Sequence, residues 1–448
     1  MKKLIALLLI SLSASGQSFV VSPAAKVLAG DPFSVRLQGL PANAEIKVSA
    51  ERPVSGYGPA AGKRSVYHAE ATFQSDAQGS LDLAAAKPLA GSYRRADLRG
   101  LLWSMVPTKN EAPGDWNSEE VRYTAQGADG KTLATTSLTF LPSLAEVKTE
   151  KVDKFPGAVF ASLPGKERRP ALILLGGSEG GNLITRSAAP WASLGFAVLA
   201  LPYYAPPGWQ SRASEFPGLP AAFADIPVDR LNEARAWLQA RSDVDGERIG
   251  LHGTSKGAEF ALIAASRLPW IKSVVAVVPS DVVWEGWGQG VEPGKRSSFS
   301  FEGKSLPFVP YQDFAEELQG FQNGTPVHLR RPQDKGRAAH PAAAVAARIR
   351  AENYKGPLMV VGGQDDQVWA SGMMAHNIAE RRAEAGLETV SLIFSDAGHF
   401  LSAQGLSPTT QYELSPSRGG GTPEGNARAQ AEAWTASVAF LKRTLGVK

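Results

Sequence analysis

Three stretches of the chain carry residue types that could act together on an acyl group. The first is Gly253-Thr254-Ser255-Lys256-Gly257, which follows a short apolar run and opens an alanine-rich amphipathic stretch. A serine in that setting sits on a sharp strand-to-helix turn, with its hydroxyl standing clear of the sheet. Gly253 and Gly257 flank it because side chains there would collide as the backbone folds back on itself. A hydroxyl needs a base to take its proton, and the base needs a carboxylate to orient it. Downstream, Gly363-Gln364-Asp365-Asp366 follows an apolar run at 358–362, and Ser395-Asp396-Ala397-Gly398-His399 follows another at 390–394. Ser255, Asp366 and His399 thus occur in the order nucleophile, acid, base, each directly after an expected strand. Asp366 is preferred to Asp365 because it lies further round its turn. The alternative for this pair is to cap a helix beginning near Ser371. Asp396 is too near His399 along one loop to reach its ring squarely and is expected to be structural.

A second Gly-x-Ser-x-Gly occurs at Gly176-Gly177-Ser178-Glu179-Gly180. Were Ser178 the nucleophile, its acid would have to come from near Thr254, where no carboxylate sits. A glycine-rich turn after the first parallel strand instead suits an oxyanion hole, whose bare N–H groups must face the developing charge. The expected donors are the amides of Lys256 and of Ser178 or Glu179, with the Lys256 side chain solvated. Tyr203, Tyr204 and Trp369 are candidate walls of an acyl pocket, with plain core packing as the alternative. His252 is expected in the core, and His68, His328, His340 and His376 show no metal-ligand spacing.

These residues need elements to position them. From 155 to 448 apolar runs alternate with helical periods, the signature of a mostly parallel sheet flanked by helices. Strands are expected at 171–175, 196–201, 248–252, 271–278, 358–362 and 390–394. Helices are expected at 228–240, 258–268, 373–385 and 427–445. With the order serine, acid, histidine at strand ends, the fold class expected is an α/β-hydrolase. The stretch at about 281–339 is rich in Gly, Pro and aromatics without a helix period and is expected to form an inserted lid. Residues 17–144 carry short alternating runs punctuated by turn clusters such as Gly30-Asp31-Pro32, which points to an immunoglobulin-like β-sandwich. The charged run 146–154 is expected to link the two domains.

The chain has 448 residues, 43% of them hydrophobic, enough for two cores. Its start combines Lys2 and Lys3, an apolar run at 4–12 and Ala14-Ser15-Gly16. That pattern predicts a signal peptide over 1–16, cleaved near Gly16 and Gln17, and export to a bacterial periplasm or beyond; a buried strand or an uncleaved anchor is the alternative. No other run is long enough to span a bilayer. There is no cysteine, which excludes disulfides, a lipoprotein anchor, Cys-based zinc sites and a thiol nucleophile. The net charge of +4 comes without an aromatic-interleaved basic stripe, so nucleic acid is not an expected partner. No metal or organic cofactor is implied.

The chain resembles a known family, the type I acyl-CoA thioesterases and bile acid-CoA:amino acid N-acyltransferases, across nearly all its length. The similarity runs through 79–83, Gly91-Ser92-Tyr93, 100–107, 195–204, Gly253–Gly257, 363–369, Gly398-His399 and 419–434. The resemblance implies a sandwich followed by an α/β-hydrolase domain, with nucleophile, acid and base at Ser255, Asp366 and His399. The transferases use cysteine; a serine acyl-enzyme resolved by water is the thioesterase-like version. The expected activity is hydrolysis of a small-molecule acyl ester or thioester by a monomer. Export separates the chain from cytoplasmic CoA thioesters, so another ester is a candidate substrate. The alternatives are an acyltransferase, amidase or peptidase on the same three residues, or a silent hydrolase fold serving as a binding module.

Overall fold

The computed structural model describes residues 16–55, 63–180, 183–205, 216–415 and 417–447. The expected signal peptide, apart from Gly16, lies outside these residues. The described chain divides into two compact units, the second running from Leu141 onward and also taking in Leu28–Gly30.

In the first unit, strands Ser18–Ser22, Ser34–Gln38 and Leu81–Asp82 form one sheet. A second sheet is built around Glu45–Ser55, Arg64–Gln74, Glu120–Gly127 and Thr132–Leu141, paired antiparallel. The two-residue period decides which side chains are buried. Ile46 and Val48 stand opposite Phe73 and Ala71 on the buried side, continued by Val121, Tyr123 and Ala125 on the next strand.

The second unit holds an eight-stranded sheet. Its strands are β1 (Lys148–Lys151), β2 (Val159–Ser162), β3 (Arg169–Leu175), β4 (Ala197–Ala200), β5 (Val244–Thr254), β6 (Ser273–Val277), β7 (Leu358–Gly363) and β8 (Thr389–Phe394). They lie in the order β1-β2-β4-β3-β5-β6-β7-β8, the strand order of an α/β-hydrolase. Strands β3 to β8 run parallel, while β2 is antiparallel to both neighbours. The stretch expected to be a linker therefore contains an edge strand. All four residues of β1 are exposed, and its lysines and glutamate keep that open edge from recruiting another strand.

Strands covered on both faces read as continuous apolar runs. In β3, Ala171, Ile173 and Leu175 enter one core cluster and Leu172 and Leu174 enter the other. Helix α1 (Leu231–Gln239) and helix α2 (Lys256–Ala265) supply the first cluster. Burying each large apolar side chain there contributes roughly 1.5–3 kcal/mol. Between β6 and β7 the inserted stretch is more ordered than its composition implies. It contains helices α3 (Phe314–Asn323) and α4 (Arg330–Ala339). Helix α4 has no large apolar side chain, so no hydrophobic stripe announces it; buried Pro332, Gln333 and Gly336 pack it down. Helix α5 (Ser371–Glu384) follows β7. The closing helix α6 (Pro423–Leu445) covers the second cluster with Ala429, Ala433, Phe440 and Leu441. Thr422 starts α6 by accepting from the Gly425 N–H at 3.0 Å, and Gly446 ends it with a φ of +67°. No helix among the described residues is long and apolar enough to cross a membrane.

Candidate active site

Because β3, β5, β7 and β8 are parallel, the turns that follow them gather at one edge of the sheet. The turn after β5 carries Ser255 with φ 56° and ψ −121°. A non-glycine residue held there stores about 1–3 kcal/mol of strain, which persists only where neighbours fix it. The Ser255 N–H donates to the Val277 carbonyl at 2.9 Å. The turn is too tight for side chains beside it: a Cβ on Gly253 would lie 2.1 Å from the Gly257 oxygen, and one on Gly257 would lie 2.2 Å from the Leu175 oxygen.

His399 follows β8, and its backbone N–H donates to Gly419 O at 2.8 Å. Its Nε2 lies 2.9 Å from Ser255 Oγ and its Nδ1 lies 2.8 Å from Asp366 Oδ2. With the Nδ1 proton directed at the carboxylate, Nε2 is left to accept from the serine hydroxyl. Asp366 is wholly buried. Its Oδ1 accepts from the N–H groups of Val368 and Trp369, and its Oδ2 also accepts from Ser371 Oγ at 2.6 Å. Four donors offset the cost of burying that charge. Asp365 turns the other way: it is exposed and accepts from the Gly421 N–H and the Gln367 amide. Neither aspartate side chain bonds the first residues of α5 as an N-cap; that position is Ala370. Asp396 pairs with Arg428 at 2.5 Å on the surface.

A cavity of about 450 Å³ opens beside Ser255 and His399. Ser178 and Glu179 line it together with Gly176 and Gly177, so the glycine-rich turn does face the serine. Within that turn the Glu179 carboxylate accepts from the Gly177 N–H at 3.0 Å. Tyr203, Tyr204 and Trp369 are buried and are not among the residues lining this cavity. Tyr203 instead lies behind the turn, where its hydroxyl donates to Gly176 O at 2.6 Å and approaches Gly177 O at 3.0 Å. Tyr204 packs against Phe223, and Trp369 meets the His399 ring edge-on at 5.7 Å while its indole N–H donates to Val278 O. The walls are supplied in part by Phe400, Gln411 and Tyr412 from the segment after β8, a stretch with no periodicity to mark it.

The Lys256 side chain is buried rather than solvated. Its ammonium donates to Glu259 Oε2 at 2.6 Å and to Ser298 Oγ at 2.9 Å. Burial pushes the lysine below its ordinary pKa and the glutamate above its own, each opposed by the attraction of the other. Nothing local in the sequence marks Ser371 as a partner of Asp366, whereas the i,i+3 spacing of Lys256 and Glu259 signals a helix pair without signalling its burial. His252 is in the core, its ring 5.0 Å from that of Trp191. Among the described residues no cluster of His, Asp or Glu is arranged to hold a metal.

The chain matches two adjoining family descriptions. Residues 226–447 match the BAAT / acyl-CoA thioester hydrolase C terminal, and residues 30–139 match the acyl-CoA thioester hydrolase/BAAT N-terminal region. Acyl-coenzyme A thioesterase 6 of Mus musculus is 26% identical over 442 residues, covering 95% of this chain and 96% of its own. Acyl-coenzyme A thioesterase 1 of Rattus norvegicus is 25% identical, covering 96% and 97%. The mitochondrial acyl-coenzyme A thioesterase 2 of Homo sapiens is 25% identical, covering 96% and 84%. Among solved structures, a putative dienelactone hydrolase from Klebsiella pneumoniae is 14% identical with a TM-score of 0.41, covering 66% of this chain and 99% of its own.

Proposed function

The chain belongs to the BAAT and acyl-CoA thioester hydrolase family, and within it we propose a serine hydrolase that cleaves acyl thioesters or esters through Ser255, His399 and Asp366. The observation that carries this is the unbroken line of hydrogen bonds from Ser255 Oγ through the His399 ring to Asp366. His399 Nε2 takes the serine proton as Oγ bonds to the acyl carbon. The carbonyl oxygen becomes an oxyanion, held by the amides of Lys256 and of Ser178 or Glu179. The imidazolium then protonates the departing thiolate or alkoxide, leaving the acyl group on Ser255. Water enters, gives its proton to Nε2 and its oxygen to the acyl carbon, and the acid leaves with Ser255 reprotonated. Asp366 keeps the Nδ1 proton in place and stabilises the imidazolium throughout.

The same proposal includes export, cleavage near Gly16 and Gln17, action as a monomer and an immunoglobulin-like topology for the first unit. An exported enzyme meets few CoA thioesters, so oxygen esters and other thioesters belong among its substrates. The test is hydrolysis of a panel of acyl-CoA, other thioester and nitrophenyl ester substrates by the mature protein and by Ser255→Ala. Turnover is expected to fall on the order of 10⁴-fold or more in the variant. Undiminished turnover in Ser255→Ala would end the proposal. Amine acceptors supplied beside water test for transfer, and conjugates in place of free acid would make the enzyme a transferase.

A further inference from the structure

Lys256 is an unusual residue to find sealed in a core, and it is the first residue after the strained serine. Its ammonium is 2.6 Å from Glu259 Oε2 and 2.9 Å from Ser298 Oγ. The rings of Phe223, Trp287 and Phe299 surround it at 5.2, 5.3 and 5.2 Å. The partners are themselves fixed. Ser298 donates its own proton to Glu285 O at 2.8 Å, which turns its lone pairs to the ammonium. Glu259 Oε1 accepts from the Trp284 N–H at 3.1 Å. Every atom of this cage except Phe223 and the helix itself comes from the insertion between β6 and β7.

Stability alone does not ask for such a pair. Desolvating two charges costs about as much as their attraction returns, and well-packed neutral residues of similar size often hold a core better. Position is a different matter. The Lys256 amide is at the first turn of α2, where helix N–H groups have no carbonyl within the helix. Its direction and the positive φ of Ser255 are set by the same stretch of backbone.

We propose that Lys256 is a positioning residue for the nucleophile, its caged ammonium anchoring the peptide that joins Ser255 to α2. Released from the cage, this peptide relaxes toward ordinary helical geometry, carrying the hydroxyl away from His399 and the amide away from the oxyanion. The inference rests on Ser255 being the nucleophile. It also gives the 281–339 insertion a role other than a lid: it grips the helix behind the serine.

The variants are Lys256→Met, Lys256→Met with Glu259→Gln, and Ser298→Ala. The double variant removes both charges together and keeps an acceptor for the Trp284 N–H, so it is expected to fold even where the single lysine variant does not. Each is assayed for near-UV circular dichroism, for kcat and KM on a nitrophenyl ester, and for the rate of fluorophosphonate labelling at Ser255. A folded double variant is expected to lose kcat roughly 10- to 100-fold with KM unchanged, and labelling is expected to slow in parallel. Ser298→Ala is expected to lose kcat roughly threefold, again at constant KM, about the effect of one weakened hydrogen bond. Wild-type kcat in the folded double variant overturns the proposal, as does wild-type kcat in Ser298→Ala should the double variant not fold. Failure of the serine reading itself looks different: the wild-type protein then hydrolyses the ester with no label on Ser255.

Discussion

The Ser371 hydroxyl donates to Asp366 Oδ2 at 2.6 Å, the same oxygen that faces His399 Nδ1 at 2.8 Å. Ser371 opens α5, so the helix after β7 holds the carboxylate toward the imidazole. Losing one donor to a buried charge weakens the orientation without removing it. Ser371→Ala is expected to lower kcat roughly tenfold at unchanged KM. Steady-state kinetics on a nitrophenyl ester checks this, and unchanged kcat would mean the backbone donors at 368 and 369 suffice.

Tyr203 lies behind the glycine-rich turn that faces Ser255, its hydroxyl bonded to the carbonyls of Gly176 and Gly177. Burial pushes its pKa well above the ordinary phenol value, so it remains a donor at every working pH. Tyr203→Phe leaves two carbonyls short of that donor and is expected to cost about 1–3 kcal/mol of stability. A several-fold fall in kcat should accompany it, if the turn supplies an oxyanion amide. Urea unfolding and ester kinetics measured side by side separate the two effects.

At Gly257 the backbone leaves no room: an added Cβ would stand 2.2 Å from the Leu175 oxygen and 2.3 Å from the Gly176 oxygen. Neither atom can move without parting β3 from β5. Gly257→Ala is therefore expected to cost about 3 kcal/mol or more and to abolish labelling of Ser255. Gly114→Ala, with nothing within 4 Å of its new Cβ, is the neutral comparison. A soluble Gly257→Ala enzyme of wild-type stability would show that β3 and the α2 turn can yield to a methyl group after all.

His252 carries a pH dependence unrelated to the reaction. Burial lowers its pKa from 6.5 to about 4, and its Nδ1 has no hydrogen-bond partner among the described residues. The folded protein thus resists protonation there, while the unfolded chain accepts a proton near pH 6.5. Stability from this residue is complete above pH 6.5, drains away as pH falls toward 4, and levels off below that. The loss is on the order of a few kcal/mol. Urea unfolding at pH 7.5 and 4.5 measures it, and His252→Leu should show a smaller difference between the two conditions than the wild type.

That Ser255, Asp366 and His399 stand at strand ends was legible because each announces itself locally. A tight strand-to-helix turn forces glycines at 253 and 257, and strand ends leave apolar runs before 255, 366 and 399. The edge strand Lys148–Lys151 and helix α4 were not legible, since neither buries an apolar stripe and both are held by what they pack against. The choice between Asp365 and Asp366 was legible in part: the place of Asp366 further round its turn favoured it, and the course of the chain after β7 does aim it at His399 and Asp365 at the Gly421 amide.

By itself, then, the sequence determined which residue types stand at the ends of which strands, because backbone sterics and apolar periodicity act over a few neighbours. Only the tertiary structure decided who touches whom across the chain: Ser371 on Asp366, Tyr203 under the glycine turn, Ser298 on Lys256. Those partners lie 5, 26 and 42 positions apart, and polar contacts over such separations follow from where packed elements leave room, which no local pattern encodes.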